Sequence, residues 1–386
     1  MYNIKTLNKI SPIGLNRLGD GFAVGDDIEN PDAVLVRSAS MHDMELPESL
    51  LAIARAGAGV NNIPIDKCSE SGIVVFNTPG ANANAVKELV IAGLLLSSRK
   101  IVDGIEWAKT LKGNGDQVGK MVEKGKSAYA GPEIKGKTLG VIGLGAIGAL
   151  VANAASSLGM KVCGYDPFLS VDGALKLSPS MTHCVTLDEI FAQSDYITVH
   201  VPLTPDTKHV ICAENIAKMK DGVRILNYSR ADLVNSADVL AAIENGKIAA
   251  YVTDFATDDL LGVPGVIAMP HLGASTPESE ENCAAMAADE VKDYLENGNI
   301  TNSVNFPMVN MARSGEIRFC ILHKNIPSIL QRCLAVLSDK GANVENMENK
   351  SRKDYAYTVI DASGADEALS EEITKIDGVV RVRVIK

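Results

Sequence analysis

Apolar residues in this chain come in short blocks, each closed by glycine, asparagine or a charged side chain. The clearest block is Thr138–Ile142, which runs into Gly143-Leu144-Gly145-Ala146-Ile147-Gly148. An alanine-rich stretch follows as far as Leu158, and a second apolar run, Lys161–Tyr165, stops at Asp166. Short apolar runs bounded by glycine read as buried strands, and the longer alanine-rich stretch between them reads as a helix. The segment 136–167 therefore predicts strand, glycine turn, helix, strand and a terminal acid.

The alternation continues beyond Asp166. Leu187–Gln193 reads as a helix, 196–201 as a strand, 213–219 as a helix and Val223–Asn227 as a strand. The next helix has Asn235 or Ser236 as its cap, an apolar stripe of Val239, Leu240 and Ile243, and Asn245-Gly246 as its stop. Ile248–Thr253 and 266–269 read as strands. Such alternation predicts a parallel sheet covered on both faces. Before the glycine turn, Ala33–Val36, 51–54 and 74–76 are further strand candidates, and 85–100 reads as a buried helix. The Gly- and Lys-rich segment 109–132 reads as a connection. Pro277–Asn297 is one long amphipathic helix, and 298–313 loses periodicity and reads as a domain linker. The last seventy residues give a strand (317–322), a helix (327–340), two strands (344–350 and 355–361), a helix (365–376) and the strand Val379–Ile385. That order is a split βαβ unit, βαββαβ.

Composition narrows the class. A chain of 386 residues is long enough for two or three domains. Seven cysteines, an odd number with no C-x-x-C pair, argue against a disulfide framework and against a metal site. They point to a reducing compartment, so a cytoplasmic location is expected. No signal peptide is visible, and the longest apolar stretch, 86–96, is interrupted by Lys87 and Glu88, so no membrane partner is expected. A net charge of −11 with no basic run disfavours nucleic acid. An anionic substrate must then be held by a few local arginines.

The chemistry starts at the glycine turn. Gly143 permits the sharp turn, Gly145 lets backbone approach a pyrophosphate, and Gly148 lets the helix lie close to its strand. The helix start offers free N–H groups to phosphate. Asp166 can accept both hydroxyls of an adenosine ribose and repels a 2′-phosphate, which selects NAD over NADP. Of six histidines, His271 follows a strand and precedes a glycine-rich loop, where an imidazole can move a hydroxyl proton. Arg230 lies just past another strand, placed to hold a carboxylate bidentately. Asp258 and Asp259 lie between the two and are candidates to orient the histidine. His42 and His209 read as surface residues and His200 as a core histidine. Arg37-Ser38, the loop 55–61 and the loop 77–84 each follow a strand, which suggests a binding edge.

The combination of GLGAIG with Asp166, HVPLTPDT, Asn227-Tyr228-Ser229-Arg230, Asp254 and Pro270-His271-Leu272-Gly273 resembles the D-isomer-specific 2-hydroxyacid dehydrogenases. The resemblance implies a Rossmann-type doubly wound parallel sheet (86–276) inserted into a flavodoxin-like substrate domain (1–85 and 277–306). It implies catalysis by Arg230, an acidic residue and His271. The family pattern Asp-Val-Phe-x-x-Glu is here Asp254-Phe255-Ala256-Thr257-Asp258-Asp259, and ungapped counting assigns the acid to Asp259, one methylene shorter. It implies cofactor contacts from Gly143, Gly145, Ala146, Ile147, Gly148, Asp166, Pro202, Thr207, Tyr228, Ser229, Asp254 and Gly273. Arg37, Ser38, Arg55, Gly59 and Asn82 would hold a small phosphorylated 2-hydroxyacid, although Ala39 stands where some relatives have a second arginine. The last unit (317–386) resembles an ACT domain, a ferredoxin-like regulatory fold. His323, Asn325 and Asn343 match positions that bind L-serine as effector, whereas Ser328 replaces the usual glycine. Both resemblances imply a homodimer or homotetramer. A reductase of unphosphorylated hydroxyacids and a non-enzymatic NAD sensor on the same fold are the alternatives.

Overall fold

The computed structural model describes residues 1–386. Two compact units divide the chain, Met1–Asn82 with Pro277–Lys386, and Ala83–Thr276. The first unit contains a five-stranded parallel sheet of β1 (Tyr2–Leu7), β2 (Phe22–Gly25), β3 (Ala33–Val36), β4 (Ala52–Arg55) and β5 (Val74–Asn77), in the order β2-β1-β3-β4-β5. Every residue of β3 is buried, as are the first three of β4 and β5. Continuous apolar runs of this kind belong to a sheet covered on both faces. The helix Pro277–Asn297 supplies part of the cover through Ala284, Ala287, Ala288, Val291 and Leu295.

The unit Ala83–Thr276 holds seven parallel strands: β6 (Thr138–Ile142), β7 (Lys161–Tyr165), β8 (Thr182–His183), β9 (Tyr196–Val199), β10 (Val223–Asn227), β11 (Ile248–Thr253) and β12 (Val266–Ala268). Their order is β12-β11-β10-β9-β6-β7-β8, so the winding reverses between β6 and β9. A reversal of this kind opens a crevice at the carboxyl ends of the strands. Asn235 caps the helix Ser236–Glu244 by accepting from Asp238 N–H at 3.3 Å, and Gly246 at φ +79° ends it. The helix Ala83–Arg99 packs Val86, Val90 and Leu94 into the core formed by Val141, Leu226 and Val252.

Residues 109–132 differ from the expected open connection. They carry the end of the helix Ile101–Thr110, the helix Val118–Gly125 and the 3-10 turns Gly115–Gln117 and Lys126–Tyr129. Trp107 stacks on Tyr129 with centroids 5.1 Å apart, and a Cβ on Gly125 would stand 2.3 Å from the Trp107 ring. The glycine that read as a loop residue is there to admit an indole.

An antiparallel sheet completes the chain: β13 (Ile317–Lys324), β14 (Asn343–Arg352), β15 (Tyr355–Ser363) and β16 (Val379–Ile385), in the order β14-β15-β13-β16. Its helices are Ile329–Asp339 and Leu369–Thr374. This sheet is not held at the end of a slack linker. Cys320, Leu322, Tyr357, Val359 and Ile385 share one core with Phe76, Val291 and Tyr294. Ile300, Phe306 and Val309, in the segment that lacked periodicity, are fully buried in the same core. Asn305 anchors that segment, accepting from Val75 N–H at 2.9 Å and donating to Ser69 Oγ at 3.1 Å and Ile73 O at 2.9 Å. Polar residues that read as loop chemistry are here buried hydrogen-bond partners.

Candidate active site

Three strand ends of the unit Ala83–Thr276 carry the reactive side chains. Past β10, buried Asn227 donates to Arg230 O at 2.9 Å and accepts from Ser229 N–H at 3.2 Å, while Ser229 Oγ donates to Val199 O at 2.7 Å. The backbone of the loop is fixed, and the exposed Arg230 guanidinium keeps one contact, to Ser229 O at 2.6 Å. Tyr228 turns inward because the facing helix has Gly93, where a Cβ would lie 2.0 Å from the phenol oxygen. Burial and the Asp254 charge both push the Tyr228 hydroxyl above its ordinary pKa, so it stays a neutral donor.

Past β11 comes Asp254, whose side chain is 1% exposed, and past β12 comes His271, 63% exposed. His271 Nδ1 lies 3.6 Å from Asp254 Oδ2, and its ring meets Phe255 edge-on at 5.2 Å. Neither Asp254 oxygen has a hydrogen-bond partner. Burial pushes the Asp254 carboxyl up, and the His271 charge, the nearby N–H groups of Asp254 and Gly273 and the Arg230 charge pull it back only in part. A buried carboxylate short of donors costs free energy, so its presence beside an exposed histidine and Arg230 marks a candidate working site.

The acid expected at Asp259 is placed differently. Asp258 and Asp259 are exposed in a turn, and neither forms an ion pair with His271. The carboxylate beside His271 is that of Asp254, because β11 ends directly next to β12 and delivers its first loop residue there. The signal was available, since Asp254 directly follows an apolar strand. The one-methylene deficit at Asp259 pointed the same way.

The glycine turn fits a dinucleotide. Gly143 sits at φ +91°, and a Cβ on Gly148 would fall 1.9 Å from Gly143 O. A Cβ on Gly145 would meet nothing within 4 Å, which leaves space beside the turn. No side chain caps the helix Ala146–Ser157, so its first N–H groups face that space unsatisfied by the chain. Asp166 accepts from Leu144 N–H at 2.9 Å and Phe168 N–H at 2.9 Å, which ties the acid to the turn. Thr207 is less available, because its hydroxyl donates to Pro202 O at 2.6 Å and accepts from Thr204 N–H at 2.8 Å. Gly273 lies beside Asp254, where a Cβ would come within 3.5 Å of Oδ2. His200 is half-buried, with Nδ1 shielded and unpartnered, and desolvation alone lowers its pKa to about 4, so it stays neutral.

In the other unit, Arg37 follows β3 and Arg55 ends β4, and Arg55 Nε donates to Arg37 O at 3.1 Å. Arg37 is paired with Glu280 at 2.6 Å. Ser38 N–H donates to Asn8 Oδ1 at 3.0 Å, Asn82 makes no side-chain hydrogen bond, and Gly59 is half-buried in the loop after β4. In the antiparallel sheet, His323 is buried with both ring nitrogens engaged, at Lys324 O and Thr358 Oγ1, each 2.8 Å away. Asn325 donates to Lys353 O at 3.1 Å and Asn343 to Glu345 Oε1 at 2.8 Å. Each expected effector residue therefore already has a partner within the chain. No group of His, Cys, Asp and Glu is arranged to hold a metal ion, and no helix is long and apolar enough to cross a membrane.

Residues 91–273 match the NAD-binding domain of the D-isomer specific 2-hydroxyacid dehydrogenases. The chain as a whole is similar to the D-3-phosphoglycerate dehydrogenase of Bacillus subtilis (strain 168), with 34% identity over 319 residues, covering 80% of this chain and 58% of that protein. It is 28% identical over 393 residues to D-3-phosphoglycerate dehydrogenase 1 of Saccharomyces cerevisiae, covering 93% of this chain and 80% of the yeast one. The NAD+-bound 3-phosphoglycerate dehydrogenase of Entamoeba histolytica is similar in structure, with a TM-score of 0.59 and 26% identity, covering 80% of this chain and 99% of that one. The chain spans little more than half the length of several of its curated relatives.

Proposed function

We propose that this chain oxidises D-3-phosphoglycerate to 3-phosphohydroxypyruvate with NAD, the step that opens L-serine synthesis from a glycolytic intermediate. The observation that carries the reading is the meeting of Asp254, His271 and the Arg230 charge at neighbouring strand ends. NAD, when bound, supplies the hydride acceptor. His271 takes the C2 hydroxyl proton at Nε2, the nitrogen left free when Nδ1 faces Asp254. Asp254 fixes the ring and balances the imidazolium, as carboxylates do for catalytic histidines; Asp259 is the rival for that role. Arg230 holds the substrate carboxylate. Arg37, Ser38, Arg55, Gly59 and Asn82 hold the phosphate-bearing end. In the reverse direction His271 returns the proton.

The remaining assignments belong to the same reading. The five-stranded sheet with Pro277–Asn297 is a flavodoxin-like substrate domain, and the terminal sheet is an ACT domain with L-serine as effector. The protein is a cytoplasmic homodimer or homotetramer. The pairing of Arg37 with Glu280 favours one rival, a reductase of unphosphorylated hydroxyacids, since it leaves less free positive charge for a phosphate. NADH oxidation with 3-phosphohydroxypyruvate, hydroxypyruvate and pyruvate decides between the two. A preference for the phosphorylated acid is expected, and its absence moves the assignment to the rival.

A further inference from the structure

The loop after β3 offers three anion-binding donors in a row, the Arg37 guanidinium and the N–H groups of Ser38 and Ala39. All three are already met by oxygens of the chain itself. Glu280 Oε1 accepts from Arg37 Nη2 at 2.6 Å, and Asn8 Oδ1 accepts from Ser38 N–H at 3.0 Å and Ala39 N–H at 2.7 Å. The arrangement is built, because Asn8 adopts a left-handed backbone at φ 71°, a conformation with a steric cost for a side-chain-bearing residue. Register explains its reach, since Leu7 pairs with Val36 and the next residues of both strands come side by side. Glu280 comes from the first turn of Pro277–Asn297, where a helix start favours a carboxylate.

The two contacts differ in how firmly they hold. The amide of Asn8 is neutral and satisfies backbone groups that need a partner. Glu280 and Arg37 are partly exposed, with side chains 43% and 41% accessible, so their pair is weak and screened by salt. A ligand carrying two negative charges outcompetes one carboxylate at such a site, whereas an uncharged hydroxymethyl group does not.

We infer that Glu280 is a specificity-determining residue, a resident carboxylate that occupies Arg37 until a phosphorylated substrate displaces it. The inference rests on the substrate reading above and adds to it. Glu280 sets the cost of binding the phosphate and holds the arginine in place when no substrate is present. It touches neither the reacting carbon nor the proton path.

The test is Glu280→Gln, which keeps the size of the side chain and removes its charge. The KM for 3-phosphohydroxypyruvate is expected to fall about fivefold at low ionic strength, the scale of an exposed ion pair. The KM for hydroxypyruvate and the kcat for both acids should stay within twofold. The fall should shrink in high salt. An equal change for both acids, or none for the phosphorylated one, overturns the role of Glu280. Failure of the substrate reading looks different, since neither protein then discriminates between the acids. In that case thermal stabilisation by inorganic phosphate still decides, because Glu280→Gln should respond at lower phosphate concentration than the parent, and equal responses overturn the inference. Should Glu280→Gln fold poorly, Glu280→Ala replaces it with the same expectations.

Discussion

Asp254 and Asp361 are equally buried, each with a side chain 1% exposed, yet the chain treats them in opposite ways. Asp361 accepts from Arg318 Nε at 2.6 Å and Nη2 at 2.8 Å, and from Ser314 N–H at 2.8 Å. Burial pushes its carboxyl up, but the bidentate arginine and the Ser314 N–H outweigh this and hold it below the ordinary range. Asp254 has no hydrogen-bond partner and is held above that range. One acid has both oxygens bonded to fasten a sheet, while the other is kept short of partners beside a histidine. The difference separates a structural carboxylate from a working one more surely than burial does.

The largest expected effect comes from breaking the fastened pair. Arg318 also donates to Asn297 O at 2.7 Å, at the end of the helix Pro277–Asn297. Arg318→Met leaves Asp361 buried and unpaired, and urea unfolding should show a loss of roughly 3–5 kcal/mol. Adding Asp361→Leu should restore much of that loss. Asp254→Asn removes a buried charge that is held above its ordinary pKa, so it should cost little stability or raise it. Equal losses for Arg318→Met and Asp254→Asn would erase the distinction.

Activity should invert the order. Replacement of His271 by Ala is expected to lower kcat by 10²–10⁴, the range for general acid–base groups, with NADH affinity nearly unchanged. Asp254→Asn should lower kcat by a smaller factor of roughly 10–10². Asp259→Asn is the control on the choice of acid. If Asp259→Asn lowers kcat more than Asp254→Asn does, then Asp259 moves to the histidine during turnover and Asp254 serves the cofactor alone.

Much of this was legible beforehand, and the gaps share a cause. Strands Thr138–Ile142 and Lys161–Tyr165 stand where the apolar runs end, and Gly143 takes the positive φ that its turn requires. Local chemistry sets such features, so neighbouring residues suffice to read them. That Asp254 rather than Asp259 lies beside His271 was not legible, because it depends on which strand end lies beside β12, a matter of sheet order. The terminal sheet read as separate because 298–313 loses periodicity, which hides the burial of Ile300, Phe306 and Val309. In the fold, Arg383 donates to Tyr294 O and Leu295 O at 3.1 and 2.9 Å, and Arg381 donates to Glu48 O and Leu50 O. Arg381 and Arg383 lie two apart on a strand and so share a face, the one sequence sign that they had a common target.

The two carboxylates also predict opposite responses to pH. Asp361 has a folded pKa below its unfolded value, so its contribution is present above about pH 4, the unfolded aspartate value. That contribution is lost as pH falls through the folded value. Asp254 has a folded pKa above the unfolded one, so its penalty appears as pH rises from about 4 through the folded value. The stability advantage of Asp254→Asn over the parent should therefore grow with pH across that window and level off above it. Asp361→Asn should lose stability relative to the parent in the window below that one, as pH rises from the folded Asp361 value to about 4, and stay level above it. Parallel curves for the two variants would mean that Asp254 finds partners in solution.

The smallest effect concerns a strained residue beside the well-fastened sheet. Ser328 opens the helix Ile329–Asp339 at φ 66° and ψ 3°, in the left-handed region, and its side chain makes no capping hydrogen bond. A residue with a Cβ is penalised there, and glycine is not. The serine thus adopts a glycine conformation without the benefit a serine cap normally brings. Ser328→Gly should therefore stabilise the protein by up to about 1 kcal/mol, the strain relieved exceeding the extra freedom of the unfolded chain. Thermal unfolding checks this, and a lowered midpoint would show that the hydroxyl has a partner in solution. If Ser328→Gly also strengthens the response to L-serine, the hydroxymethyl group was crowding the effector. If stability rises and that response is unchanged, the residue strains the fold without touching the ligand.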